Sequence, residues 1–183
     1  NLNRQVLFNT KDVGKFKVIQ AKKFLKKINN QIKIDVYKEK IIETNIKNIL
    51  NKYDIICDCS DNFFTRYLLN DYCLKNKKIL ISAAINKFEA HIFHFNFAQN
   101  IPCYRCFMPE IPENENKCDT EGILPSVAGI AGTLQANEVI KSILNNKNEL
   151  LGKMIVFNTL NLDFRKIKLT KNSNCIFDCS KKK

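Results

Sequence analysis

Between Val13 and Ile28 the apolar positions Val13, Phe16, Ile19, Ala21, Phe24, Leu25 and Ile28 recur at roughly helical spacing with lysines between them, which predicts a helix. QIKIDVY (31–37) then alternates apolar and polar residues and predicts a strand. A short helix is expected from about Thr44 to Asn51. YDIICDC (53–59) follows, compact, β-branched and apolar, the composition of a buried parallel strand. It ends in SDN, and NFFTRYLLNDYCLKN (62–76) returns to helical periodicity before a second buried strand, KILISAAI (78–85). Strand, helix and strand from 53 to 85 make a βαβ unit, whose crossover is expected to be right-handed.

Beyond this unit the pattern changes. KFEAHIFHFNF (87–97) alternates and predicts an antiparallel strand; its His91 and His94, three apart, face opposite sides as ordinary strand residues. Residues 100–126 hold all four prolines (Pro102, Pro109, Pro112, Pro125) and the acidic run PEIPENENKCDTEG, and are expected to be loop. SVAGIAGTLQANEVIKSILNN (126–146) predicts a long helix whose small residues allow close packing on a sheet. KMIVFNT and LDFRKIKLT predict a last pair of strands, and the terminal lysines a disordered tail. The expected architecture is one α/β domain over residues 1–183, a mostly parallel central sheet continued by antiparallel strands, with no internal repeat or linker.

Composition narrows the function classes. The 183 residues carry 30 Lys+Arg against 18 Asp+Glu, a net charge of +12. The lysines are spread along the chain among Asn and Ile, which reads as solvated helix faces, not as a nucleic-acid patch. Apolar runs are short, so no membrane span is expected. The opening NLNRQVLFNT has neither a signal-peptide pattern nor a starting methionine, so the chain is expected to begin partway through a larger, cytoplasmic protein. Eight cysteines in a chain of this kind favour a reducing compartment and a metal site over a disulfide framework.

Asp61 and Asn62 stand where a buried strand passes into a helix, the end of an α/β sheet at which ligands bind. Asp61 is open to two roles, helix N-cap or a carboxylate facing a metal–phosphate group, and Asp58 or Asn62 could share the capping. Arg66, five residues on, is expected to pair with a nearby carboxylate. Arg4 precedes any regular element, and Lys17 is expected one turn into the first helix. Cys103 and Cys106 form a CxxC that suits a redox dithiol or half a metal site; its place between prolines, not at the opening of a helix, argues against redox use. The other close pair is Cys175 and Cys179, which would complete a site of four cysteine ligands. Cys118 lies in a polar loop, either incidental or a sulfur-handling thiol. Cys57, Cys59 and Cys73 are expected in the core.

Taken in order, NLNRQ (1–5), VGKFK (13–17), CDCSDN (57–62), CYRC (103–106), KCDTEGILPS (117–126), GTLQANEVIK (132–141) and CIFDC (175–179) resemble the ThiF/MoeB/HesA family of adenylyltransferases, relatives of ubiquitin-activating enzymes. The resemblance runs along essentially the whole chain and implies a Rossmann-like fold with a zinc-bound loop. It implies ATP, Mg2+ and Zn2+ as cofactors, and as substrate the C-terminal Gly-Gly of a small ubiquitin-like sulfur carrier. The carrier is adenylated and then loaded as a thiocarboxylate for molybdopterin, thiamine or a related synthesis. Asn1 and Arg4 match the family's nucleotide-contacting Asn and Arg, Lys17 its phosphate-contacting Lys, and Asp61, with Asn62 beside it, its Mg2+-linked Asp. Cys118 matches a cysteine of the loop over the active site that handles sulfur in some members. Cys103, Cys106, Cys175 and Cys179 match the zinc ligands, although the second pair is CxxxC where the family shows CxxC. A homodimer and a cysteine desulfurase or rhodanese donor are further expectations.

The departure from the family is that neither the glycine-rich phosphate loop nor the acidic ribose-binding residue occurs in this sequence. The first βαβ part of the fold is therefore expected to be missing, and these residues alone to bind no ATP usefully. Two other classes remain open: a zinc-stabilised carrier-binding module without catalysis, and a dehydrogenase-type Rossmann protein. The latter is disfavoured by the absence of a dinucleotide fingerprint.

Overall fold

The computed structural model describes residues 1–112, 122–146, 149–177 and 179. Cys118 lies outside the described residues. The chain falls into two compact units, residues 1–41 and 42–183.

In the first unit, Asn9 caps a 3-10 turn, Thr10–Asp12: its side chain accepts from Lys11 N at 3.0 Å while Asp12 Oδ2 accepts from Asn9 N at 3.1 Å. Helix α1 runs Lys17–Ile28, so the predicted start at Val13 is corrected, and Lys17 is the first helical residue, not one turn in. Gly14 takes a left-handed φ of +80° and Phe16 an extended ψ of 121°, which together hold the chain out of the helix until Lys17. The expected strand at 31–37 does not form either: no described strand pairs with it. Alternation specifies which faces side chains take, whereas a strand also needs a neighbour for its amides.

The second unit opens with helix α2 (Ile46–Leu50) and continues as a five-stranded sheet in the order β1 (Ile55–Asp58), β2 (Ile79–Asn86), β3 (Glu89–Asn96), β4 (Lys153–Asn158) and β5 (Asp163–Lys168). β1 and β2 are parallel, joined by helix α3 (Phe63–Lys75), and β2 to β5 are antiparallel neighbours. The predicted βαβ unit and the strands after it are thus present as a mixed α/β sheet. Both faces of β3 are covered, which explains why Ala90, Ile92, Phe93, His94 and Phe95 are all buried on a strand whose residues alternate between the two sides. On one face Ala90 packs against Val127 and Ala131 of helix α5 (Pro125–Ile143). On the other, Phe93 meets the rings of Tyr104 and Phe107 at 5.5 and 5.4 Å between centroids. Those two rings belong to helix α4 (Tyr104–Phe107), a single turn where the sequence predicts loop.

The long helix is borne out in α5, with Pro125 in its first turn, where a missing amide costs nothing. Its buried positions Val127, Ala131, Gln135 and Glu138 form one stripe, half of it polar. Edge strand β5 is largely exposed and carries Arg165, Lys166 and Lys168, charges that discourage edge-to-edge pairing. Among the described residues no helix is long and apolar enough to cross a membrane.

Candidate functional site

The C-terminal end of β1 is built around Asp58, which is 1% exposed. Its Oδ1 accepts from Ser60 N at 2.9 Å and Ser60 Oγ at 2.6 Å; its Oδ2 accepts from Ser82 Oγ of β2 at 2.7 Å and Arg66 Nε of α3 at 3.3 Å. Arg66 is the expected ion-pair partner of a carboxylate, and it also donates from Nη2 to Ser60 O at 2.9 Å. A buried carboxylate is tolerated here because it is both paired and fully hydrogen-bonded.

The N-cap of α3 is Asn62, whose Oδ1 accepts from Thr65 N at 2.8 Å. The capping role open to Asp61 therefore falls to its neighbour, and Asp58 is occupied below. Asp61 is left exposed at the tip of the turn, its Oδ1 touching only Asn62 Nδ2, at 3.5 Å, among the hydrogen bonds described. It is an exposed carboxylate on a turn held by its neighbours' hydrogen bonds, a group that a hydrated divalent cation could reach.

In the first unit Asn1 and Arg4 are brought together, with Arg4 Nη2 donating to Asn1 Oδ1 and Arg4 Nη1 to Asn3 Oδ1 at 3.1 Å. Asn1 and Lys17 both line a cavity of about 230 Å3 together with Gln5, Asp12 and Gln20. Lys17 is exposed at the start of α1.

The four cysteines predicted as ligands converge. Cys103, Cys106, Cys175 and Cys179 place their sulfurs within 4.8 Å of one another. Individual separations are 3.9 Å for Cys103–Cys106, 3.7 Å for Cys103–Cys175 and 3.6 Å for Cys175–Cys179. Four thiolates at about 2.3 Å from a tetrahedral zinc stand about 3.8 Å apart, and a disulfide would need about 2.05 Å. The group could therefore hold a metal such as zinc, and the extra residue in CIFDC does not keep Cys179 out of it. Burial pushes the Cys103 thiol up strongly and that of Cys179 up to about 12, so a bound cation is what would favour their thiolates. One expectation is corrected: Cys103 is the N-cap residue of α4, so this CxxC does open a helical turn. What argues against redox use is the second cysteine pair closing around the first.

Helix α3 grips this knuckle. Asn70 Oδ1 accepts from Tyr104 N at 2.9 Å, Asp71 takes both arms of Arg105 at 2.8 and 2.7 Å, and Tyr67 Oη lies 2.7 Å from Met108 O and 3.0 Å from Glu110 O. The Arg105 guanidinium also lies 4.4 Å from the centroid of the Tyr67 ring.

Cys73 is fully buried as expected, but Cys57 and Cys59 are exposed. β1 is an outer strand of the described sheet, and its alternation turns Ile56 and Asp58 inward and Cys57 outward. Burial, with Cys59 and Asp58 nearby, still pushes the Cys57 thiol up to about 11. Cys59 Sγ donates to Gln135 Oε1 at 3.1 Å, while Gln135 Nε2 donates to Asp58 O at 2.9 Å and Ile81 O at 2.8 Å. Beyond it His94 Nδ1 meets Glu138 Oε2 at 3.1 Å, both buried, so His94 is no ordinary strand residue. His91 does face away, pairing with Glu89 at 2.7 Å. Sequence reasoning passed over Gln135 and Glu138; the available signal was two polar residues on the stripe that also holds Val127 and Ala131.

A model of the ThiF family matches residues 1–177. A probable molybdopterin-synthase adenylyltransferase of Pyropia yezoensis is 42% identical over 172 residues, covering 92% of this chain and 45% of the relative. An adenylyltransferase and sulfurtransferase MOCS3 of Culex quinquefasciatus is 38% identical over 179 residues, covering 96% of this chain and 41% of its own. The chain thus spans less than half the length of these two curated relatives. A crystal structure of E. coli MccB with MccA-N7isoASN superposes with a TM-score of 0.81 at 24% identity, over 99% of this chain and 56% of that one, a likeness of fold. With a family model that matches residues 1–177 of its 183, the chain belongs to the ThiF family.

Proposed function

We propose that this chain is the larger part of the catalytic domain of an adenylyltransferase, cytoplasmic and homodimeric as a whole protein, that activates the C-terminal Gly-Gly of a ubiquitin-like sulfur carrier. The observation that carries the reading is the exposed Asp61 carboxylate, on a turn whose neighbours Ser60 and Asn62 are hydrogen-bonded while its own one contact is Oδ1 to Asn62 Nδ2 among the hydrogen bonds described. The names of the relatives support adenylation, and molybdopterin synthesis is the pathway they favour over thiamine synthesis.

In this reading the carrier carboxylate attacks the α-phosphorus of ATP and pyrophosphate leaves, so the product is a carboxyl–phosphate mixed anhydride. The attacking carboxylate is already ionised, so no side chain need remove a proton. The protein's work is positioning and charge neutralisation. Arg4, steadied by Asn1, offers a planar fork to phosphate oxygens, and Lys17 a compact charge. Asp61, with Asn62 beside it, holds the hydrated Mg2+ that accompanies the nucleotide. Cys118 handles sulfur after adenylation, and a cysteine desulfurase or a rhodanese is the donor. Zinc in the Cys103–Cys106–Cys175–Cys179 group would fasten the C-terminal segment to the start of the loop that leads towards Cys118, without taking part in the chemistry.

The alternative reading is a zinc-stabilised carrier-binding module without catalysis. The two are separated by ATP–pyrophosphate exchange in the complete protein with a Gly-Gly-ended carrier. Asp61→Asn is expected to lower that exchange at least about a hundredfold while carrier binding persists. Equal exchange by the variant and the parent would remove Asp61 from the reaction.

A further inference from the structure

Ser60 and Asn62, on either side of Asp61, are each tied down, and Arg66 takes part in both arrangements. Its Nε pairs with Asp58 Oδ2 at 3.3 Å, its Nη2 donates to Ser60 O at 2.9 Å, and its backbone N donates to Asn62 O at 3.4 Å. The Arg66 side chain is 8% exposed. Its guanidinium also stands 5.8 Å from the centre of the Tyr104 ring and 5.9 Å from that of Phe63. Tyr104 is the first residue of α4, directly after Cys103, and its own amide is held by Asn70, further along α3. One side chain therefore touches both the turn that presents Asp61 and the turn that presents two of the four cysteines.

We propose that Arg66 is a positioning residue that locks the Asp58–Asn62 turn, and with it the Asp61 carboxylate, onto the helical turn of the four-cysteine group through the ring of Tyr104. The proposal deepens the reading of Asp61 as the cation-holding carboxylate and rests on it. A lysine at 66 keeps the positive charge beside Asp58 but has neither the planar face for Tyr104 nor a second arm for Ser60 O. The metal group then affects the nucleotide end of the sheet through a chain of contacts within one unit: Cys103, Tyr104, Arg66, Ser60, Asp61.

The test uses the complete protein and the variants Arg66→Lys and Tyr104→Leu, the second leaving every hydrogen bond to Asp58 in place. Amide hydrogen exchange over residues 58–65 is expected to quicken about tenfold or more in both, with one metal ion per chain retained and cooperative melting preserved. In ATP–pyrophosphate exchange, the Mg2+ concentration for half-maximal rate is expected to rise several-fold, and excess Mg2+ to restore much of the rate to Arg66→Lys but none to Asp61→Asn. A merely structural role would lower the maximal rate and leave the Mg2+ dependence where it was, and that result overturns the proposal. Unchanged hydrogen exchange over 58–65 in both variants overturns it too. If Asp61→Asn is itself fully active, the reading of Asp61 falls, and the hydrogen-exchange comparison alone decides whether Arg66 locks the turn.

Discussion

Asp58 and Asp61 stand three residues apart and have opposite fates: one is buried and saturated with donors, the other exposed beside an N-cap. The difference follows from strand alternation and from Asn62, which takes the capping bond that Asp61 would otherwise be free to make. Asn62→Ala is therefore expected to lower stability by about 1 kcal/mol, read as a shift of the urea midpoint with unchanged slope. Cys73 gives a pH test. Burial raises its thiol from the usual 9.0 to about 12. Between those values the folded chain keeps a proton that the unfolded chain has shed. Its contribution is complete below about pH 9 and is lost as pH climbs towards 12, at up to ~1.4 kcal/mol per pH unit. Wild type should lose stability faster than Cys73→Ala between about pH 9 and pH 12, and parallel curves would refute the assignment.

The elements that the sequence made legible are those whose periodicity comes from a buried face: α3, β2, β3 and α5 stand close to their predicted bounds. The missing strand at 31–37 was not legible, because pairing is a property of two segments. Nor was α4, four residues whose helical turn is held from outside by Asn70, Asp71 and Tyr67. Spacing alone left Cys103 and Cys106 open between a redox dithiol and half a metal site; the second pair was legible through the family resemblance, and the convergence of all four sulfurs, despite the additional residue in CIFDC, needed the folded chain. If a tetrahedral metal closes this group, the purified protein should carry one ion per chain, and Cys179→Ser should lose it. The loss is expected to cost at least about 3 kcal/mol, or a melting temperature lower by roughly 6–12 °C. Full metal content in Cys179→Ser would exclude it as a ligand.

At the scale of the molecule, the second unit joins two ends of one helix: α3 begins at the Asp61 turn and along its length holds the cysteine knuckle. Arg4 and Lys17 belong to the first unit, where Asn1 steadies the former and the latter borders a cavity. Arg4 and Lys17 thus lie on one unit of the chain and Asp61 on the other, a division that residue spacing alone did not reveal. Whether the complete protein adenylates a carrier is read from the intact mass of a Gly-Gly-ended carrier after incubation with that protein, ATP and Mg2+. An adenylyltransferase that depends on Asp61 leaves the carrier heavier by one AMP unit, released by hydroxylamine and absent with Asp61→Asn. A carrier that binds the protein yet keeps its mass would rule that chemistry out.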